Sequence, residues 1–480
     1  MIRQPVLYAI LLVFPLFSAS AQEPGLPVSF EQAVEMVNRD NKSIRIAEQG
    51  LDWAQSERQR LNSFWYPRIS ASGAYVHMAN DIEVKESLSA FTDPVKDFIH
   101  SIDPGEQIIT SLLNNLGSHS FSVPLAPRNV STIDATVALP IFTGGKRIYA
   151  GRIGKSMVGA AEVNRKQVSA DQQVLLVETY FGVRLGQKIV EVRQQTYDAI
   201  EQHFQNALKL EATGMLTKTE RLLFQVNRDE AKRELETAVK DLSVAQNAFK
   251  TLVQIETDEN ILPVSPLFIN ESLPALDYFK SLVGRDNYIV QGLGIQQDIQ
   301  QNQIKIANSA YMPAIELFGK QTLYSSGIRK NLVPRSLIGV GFTWNLFDGL
   351  GREKQIRQAK INHRILTVEK EKAADDLTLA VDKFYNQTQT ALDNVTALQT
   401  TVEMSREIVR ARHKSFQEGM ATPTEVIDAE LLLSKVRVAI LMAYYQFDTG
   451  LINLLAICGM PESFDQYSRN GKDETSLTDR

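Results

Sequence analysis

The same string of residues occurs twice in this chain, and the spacing of the two copies limits the fold more than any other feature. Ile141-Phe142-Thr143-Gly144-Gly145-Lys146-Arg147 aligns with Leu346-Phe347-Asp348-Gly349-Leu350-Gly351-Arg352, and Phe347 follows Phe142 by 205 residues. Downstream, Gly214-Met215-Leu216-Thr217-Lys218-Thr219-Glu220 aligns with Gly419-Met420-Ala421-Thr422-Pro423-Thr424-Glu425, again 205 residues apart. Tyr180 and Tyr385 keep that offset between them. An unbroken offset means that neither copy has gained or lost a residue over the span, so the chain is expected to build one structural unit twice. Upstream, Trp65-Tyr66-Pro67 matches Tyr311-Met312-Pro313 at an offset of 246, which leaves the first copy 41 residues longer between Pro67 and Phe142. The excess falls at about residues 79–130, where prolines and glycines predict an enlarged loop.

Between these landmarks the pattern is helical. Leu377, Val381, Phe384, Thr388, Ala391, Val395, Leu398, Val402, Ser405 and Val409 alternate steps of four and three, a sustained heptad seam. In the first copy Leu176, Val183, Val190, Tyr197 and Phe204 recur every seven residues. Neither stretch contains a proline, so each predicts a rod of roughly 60 residues, about 90 Å long. Gly214 and Gly419 suit helix C-caps, and short polar turns lead into returning helices at roughly 219–255 and 423–458. Thr422, Pro423 and Glu425 have the layout of an N-cap, an N1 proline and a capping-box acid. Shorter helices, about 29–64 and 275–310, lead into each copy.

Four strands are expected in the chain, two in the other half of each unit. Ile133, Ala135, Val137 and Leu139 alternate with Thr132, Asp134, Thr136 and Ala138; Ile338, Val340, Phe342, Trp344 and Leu346 alternate with Gly339, Gly341, Thr343 and Asn345. Their partners, about 67–77 and 313–324, alternate less cleanly. The lengths suit strands tilted across a bilayer. Trp65, Tyr66, Phe142, Tyr311, Trp344 and Phe347 cluster where helix meets strand, as membrane-interface rings or as staples between strand and helix. Open strand edges cannot sit in hydrocarbon, and a single barrel needs about eight strands, so four per chain require an oligomer.

The remaining features narrow the class. Arg3, the apolar run from Val6 to Phe17 and the small residues Ala19, Ser20 and Ala21 predict a signal peptide at 1–21. Cys458 is the only cysteine, so neither a disulfide nor a lipid-bearing cysteine after the signal is expected. No later segment approaches 18 continuous apolar residues, which leaves an exported soluble protein or one that crosses a membrane as strands. The net charge of −5 is spread without a basic block, so nothing in the electrostatics asks for nucleic acid or an anionic membrane surface, and no nucleic-acid partner is expected. His77, His100, His119, His203, His363 and His413 show no metal-ligand spacing, and there is no Walker-type loop, so neither a metal, a cofactor nor an enzyme is expected.

The ordered set of Tyr-x-Pro-like junctions, Phe-x-x-Gly corners and the tip from Gly419 to Ala429 resembles the TolC-type outer-membrane factor family over roughly residues 29–460. The resemblance implies a fold class of mixed membrane β-barrel plus α-helical barrel. Each protomer would supply four transmembrane strands and long coiled-coil helical hairpins from an internal duplication, closed as a homotrimer. It divides the chain into a first repeat at 22–260, a second at 274–460 and a polar C-terminal tail at 461–480. It implies a passive exit duct of a tripartite efflux pump or type I secretion system, set in the outer-membrane lipid with its helices in the periplasm. The partners would be a periplasmic adaptor (membrane fusion) protein and an inner-membrane RND, ABC or MFS pump.

The resemblance also assigns sites. The tips that dock the adaptor would be Gly214, Met215, Leu216 and Thr217 in the first copy, and Gly419, Met420, Ala421 and Thr422 in the second. Glu425 and Asp428 align with the carboxylates that ring the narrowest point of TolC. Glu425 is also placed to be a first-turn helix acid. Ala421 stands where the TolC latch has an arginine, so the closed state must rest on other contacts. A soluble periplasmic coiled-coil scaffold is the alternative function.

Overall fold

The computed structural model describes residues 26–102, 106–255, 260–326 and 334–474. The expected signal peptide lies outside them. In chain order the elements are β1 (Leu26–Val28), α1 (Phe30–Asp40), α2 (Lys42–Asn62), β2 (Arg68–His77), β3 (Ile82–Ser87), α3 (Ser89–Ile102), α4 (Gln107–Gly117), β4 (Ser120–Ala126) and β5 (Asn129–Thr143). Then come α5 (Lys146–Ala212), α6 (Lys218–Val253), β6 (Ile261–Pro263), β7 (Phe268–Ile269), α7 (Leu276–Asp286), α8 (Tyr288–Asn308), β8 (Ala314–Ser325) and β9 (Ser336–Thr343). The chain ends with α9 (Gly351–Gln417), α10 (Pro423–Ile457), α11 (Phe464–Arg469) and β10 (Lys472–Asp473).

Residue 26–53, 159–296 and 366–474 form one compact unit, and residues 54–158 and 297–365 form another. The first unit is built on helical hairpins. Both α5 and α9 run for 67 residues, about 100 Å at the α-helical rise. The expected seam is the buried stripe of α9: Val381, Thr388, Ala391, Val395, Val402 and Ser405 are each at most 2 % exposed. In α5, Leu176, Val183 and Phe204 are buried and Val190 and Tyr197 half-buried.

An aromatic knot closes this core. Phe30 of α1 lies 5.5 Å from Tyr180, 5.4 Å from Phe181 and 5.4 Å from Phe464, ring centre to ring centre. The Tyr180 hydroxyl donates to the Val28 carbonyl at 2.8 Å and accepts from the Ser265 amide at 2.9 Å, so the one polar atom of the knot is satisfied. β1 pairs in parallel with β6, and β10 antiparallel with β7, which sews the residues after 460 onto the core. The segment expected as a polar C-terminal tail at 461–480 packs on the core as far as residue 474. Phe464 is fully buried, and Arg184 pairs with the buried Glu474 at 2.9 Å.

Two of the expected helices are each broken in two. Asn41 separates α1 from α2, and Asn287 separates α7 from α8. The Asn41 side-chain oxygen accepts from the Ser43 and Ile44 amides at 2.8 and 3.3 Å; that of Asn287 accepts from Ile289 and Val290 at 2.8 and 3.1 Å. The two asparagines stand 246 residues apart, the offset of the two helix-to-strand junctions.

The second unit carries one four-stranded antiparallel sheet in the order β2-β5-β8-β9, and β2 and β9 are its edges. The four strands lie where the alternation predicted them. The stretch expected as an enlarged loop at 79–130 is instead structured: β3 pairs antiparallel with β4, and α3 and α4 lie between them in sequence. Both helices are short, and Pro94 lies inside α3, so the apolar spacing of Phe91, Val95, Phe98 and Ile102 is easily taken for loop. Among the described residues no helix is long and apolar enough to cross a membrane.

Candidate functional site

Register assigns every sheet residue to a face. Ile69 pairs with Val137, Leu139 with Leu317, Leu317 with Val340, and Ile315 with Phe342, so these side chains share one face. Ser70 pairs with Thr136, Asp134 with Thr322, and Thr136 with Lys320 on the other. The second face is a hydrogen-bonded polar surface. Lys320 Nζ meets Asp134 Oδ2 at 2.8 Å, Thr322 donates to Asp134 Oδ1 at 2.7 Å, and the Ser70 and Thr136 hydroxyls lie 2.7 Å apart.

The apolar face is bare. Ile69 is 75 % exposed, Ile338 83 % and Phe342 77 %. A soluble protein rarely leaves such a contiguous apolar surface uncovered. The outermost strands also leave their outer backbone groups unpaired among the described residues, a state that hydrocarbon does not tolerate and that closure with other strands removes.

Each strand-to-helix corner is held by an arginine whose role has no local sequence signal. Arg147 lies over the Trp65 ring at 4.2 Å and donates to the Ile141 and Phe64 carbonyls at 2.7 and 3.3 Å. Arg352 lies over Tyr311 at 4.7 Å and donates to the Leu346 and Ala310 carbonyls at 3.0 and 3.4 Å. The six junction aromatics, Trp65, Tyr66, Phe142, Tyr311, Trp344 and Phe347, are all exposed by 41–74 %. Two of them thus act as staples as well as standing exposed, through cation–π contacts. Trp344 also donates its indole N–H to the Tyr311 carbonyl at 3.1 Å.

The tips repeat a single construction. Gly214 and Gly419 have φ of +74° and +72°, the left-handed conformation that ends a helix. The Met215 amide donates to the Leu210 carbonyl at 2.9 Å and the Met420 amide to Ser415 at 2.8 Å, which closes both turns as Schellman motifs. Thr217 and Thr422 then cap α6 and α10 in reciprocal boxes with Glu220 and Glu425. Met215 and Met420 are 76 % and 71 % exposed at the turns; Leu216 packs against a small apolar cluster of Phe204, Ala207, Phe224 and Ile427.

The two carboxylates expected at the gate differ in their bonding. Glu425 Oε2 accepts from the Thr422 amide at 2.9 Å, and its other oxygen lies 3.4 Å from Arg412 of α9. The Thr422 amide holds the Glu425 carboxyl below the usual range against the opposing effect of desolvation, and Arg412 adds to the lowering. Glu425 is therefore a capping acid here, as one of its two readings had it, and Arg412 supplies an arginine contact that Ala421 cannot. Asp428, one turn on, is exposed.

The histidines correct the reading that found no metal-ligand arrangement. His203, His413 and Glu430, from α5, α9 and α10, converge with their ligating atoms within 4.8 Å of one another. Their sequence separations of 210 and 17 residues match no local motif, and only the packing of three helices brings them together.

A chain with a strand ladder of one apolar and one polar face, and paired helical hairpins of equal length, has the parts of an outer-membrane channel subunit. The family model described as outer membrane efflux protein matches residues 291–460. The chain is 23 % identical over 328 residues to the alkaline protease secretion protein AprF of Pseudomonas aeruginosa, spanning 64 % of this chain and 66 % of that protein's length. Its fold matches the CusC structure, described as forming a transmembrane channel, with a TM-score of 0.71, 14 % identity, and 90 % and 92 % of the two chains covered. It also matches the outer membrane protein VceC of Vibrio cholerae with a TM-score of 0.68, 14 % identity, and 90 % and 96 % covered. The family match thus covers residues 291–460, and the fold match covers nine-tenths of the chain.

Proposed function

We propose that three copies of this chain form an outer-membrane duct, passive in itself, through which a periplasmic adaptor and an inner-membrane pump expel their cargo. The observation that carries the reading is the sheet: a bare apolar face, a hydrogen-bonded polar face and two open edges. Three such sheets supply twelve strands, enough for a closed barrel with lipid outside and water inside. Bare apolar strands do not favour a soluble periplasmic scaffold. The matched offsets of helices, caps and corners support descent of the two halves from one duplicated unit.

The tips Gly214–Thr217 and Gly419–Thr422 are the proposed docking points, and Asp428 is the proposed pore acid of the gate. Glu425 stands one turn before it, tied to Thr422 and Arg412, and steadies the tip. The test is fractionation followed by planar-bilayer conductance. The duct reading expects a heat-modifiable trimer in outer membranes and a channel whose block by multivalent cations weakens in Asp428→Asn. Removal of both carboxylates should abolish that block and the cation preference. A monomer in the periplasmic soluble fraction would overturn the duct, and unchanged block in the double variant would overturn the gate.

A further inference from the structure

His203 Nε2 lies 3.1 Å from His413 Nε2, His413 Nε2 lies 3.0 Å from Glu430 Oε1, and His203 Nε2 lies 3.9 Å from that same oxygen. His203 and Glu430 are buried and His413 is half-buried. Three lone-pair atoms therefore point at one small volume. The one N–H available between the two facing nitrogens has to serve both the neighbouring ring and the carboxylate. A cation in that volume would accept all three lone pairs at once. Zinc bonds to imidazole nitrogen and carboxylate oxygen are close to 2.0–2.2 Å, so tetrahedral ligand atoms sit about 3.3–3.5 Å apart. The three observed separations bracket that edge length.

We propose that His203, His413 and Glu430 form a divalent-cation site of the zinc class, with a fourth position left to water. Two imidazoles and one carboxylate are a borderline donor set, suited to zinc and unsuited to calcium or magnesium, which take oxygen. The surroundings favour tight binding. His203 stacks 6.2 Å from the fully buried Phe224, and the apolar cluster of Phe204, Phe224 and Ile427 excludes water from that side. The three ligands come from α5 in the first hairpin and from α9 and α10 in the second. A bound cation would be a cross-brace between the two hairpins, one to two turns from the ends of α9 and α10 at the tip.

The binding test does not depend on the duct. The full chain, solubilised in detergent and stripped with chelator, is titrated with Zn²⁺ by calorimetry and with Co²⁺ by visible absorption. One saturable site per chain is expected, with the intense absorption of four-coordinate cobalt. Removing outer-shell partners of zinc sites alone costs about 10–100-fold in affinity, so His203→Gln and His413→Gln should each cost about 100-fold or more, and His363→Gln nothing. Should the core variants misfold, the wild-type chain still decides: zinc should protect His413 from diethylpyrocarbonate and slow amide exchange at both tips. Absence of a saturable site, absence of protection in the wild-type chain, or full affinity in a folded His203→Gln/His413→Gln variant would each overturn the proposal.

Discussion

At the residue scale the two copies permit controlled comparisons inside one chain. Gly144 and Gly349 hold the same corner position with φ of +63° and +70°. A Cβ on Gly144 would lie 2.7 Å from the Ser309 carbonyl oxygen and 2.8 Å from Met312 Cβ, whereas Gly349 has nothing within 4 Å. Gly349→Ala should therefore cost only the left-handed backbone term, about 1 kcal/mol, and Gly144→Ala at least about twice that. Thermal unfolding of the two variants checks the order, and equal losses would show that the corner relaxes freely. One residue later, Gly145 of the first copy is replaced by Leu350, which adopts φ +68° and so carries the strain that glycine avoids. Asp448 of α10 supplies a second residue-level prediction. Burial raises its carboxyl well above the ordinary range, Glu474 adds to the shift, and the Phe268 backbone amide opposes it. A raised acid keeps its proton in the fold after the unfolded chain has lost it, so this group's contribution to stability falls as pH climbs from about 4 through its folded pKa. The stability of Asp448→Asn relative to the parent should rise across that window. A difference independent of pH between 4 and 8 would show that Asp448 is not buried as a neutral acid.

At the element scale, the helix breaks at Asn41 and Asn287 rest on side-chain caps, and each asparagine also donates onward. Asn41 Nδ2 reaches Gln172 Oε1 at 2.9 Å, and Asn287 Nδ2 reaches the Ile457 carbonyl at 2.8 Å. Asn41→Ala and Asn287→Ala should each cost about 1–2 kcal/mol, the loss of a cap plus a partly buried hydrogen bond. Asp at either place should recover the cap but not the donor, and denaturant melts of the four variants separate the two parts. These breaks were not legible in the sequence because an asparagine between two helical patterns leaves the apolar periodicity intact, and only the turn conformation at that residue divides the element. The long hairpins were legible because α5 and α9 carry uninterrupted seams, and the caps because Gly419, Thr422 and Glu425 use chemistry that acts within a few residues. The four main strands were legible by their alternation. The short pairs β1 with β6 and β7 with β10 were not: runs of two or three residues have no measurable period, and their partners lie more than 200 residues away. The same distance hid His203 from His413, and hid the arginines at the corners, whose ring partners lie 82 and 41 residues away in sequence. Contacts made by tertiary packing leave no local trace, so the candidate site was legible at its turns and invisible at its cross-helix cluster.

At the scale of the whole molecule, the sheet leaves an apolar face and two edges that the proposed assembly would cover. On the apolar face Ile338, Val340 and Phe342 of the edge strand β9 are 83 %, 65 % and 77 % exposed, while the alternating Leu337, Gly339 and Gly341 share the opposite face with Phe318. The ring of Phe318 comes within contact distance of a Cβ at either glycine, so it covers the backbone where β9 has no side chains of its own. Lipid on one face and water on the other would make the cost of a charge depend on the face that receives it. Val340→Arg puts a cation in the hydrocarbon, at about 2–4 kcal/mol per chain near the midplane, paid three times in a trimer. Ser70→Lys places its charge on the polar face of the edge strand β2, opposite Thr136 rather than Lys320, and should be tolerated. We expect Val340→Arg to lower the yield of heat-modifiable trimer in outer membranes sharply, and Ser70→Lys to leave it near the parent level while shifting conductance. Equal assembly of both variants would show that the bare face of the sheet meets protein or water rather than lipid. The edge strands would then need partners other than further copies of this chain.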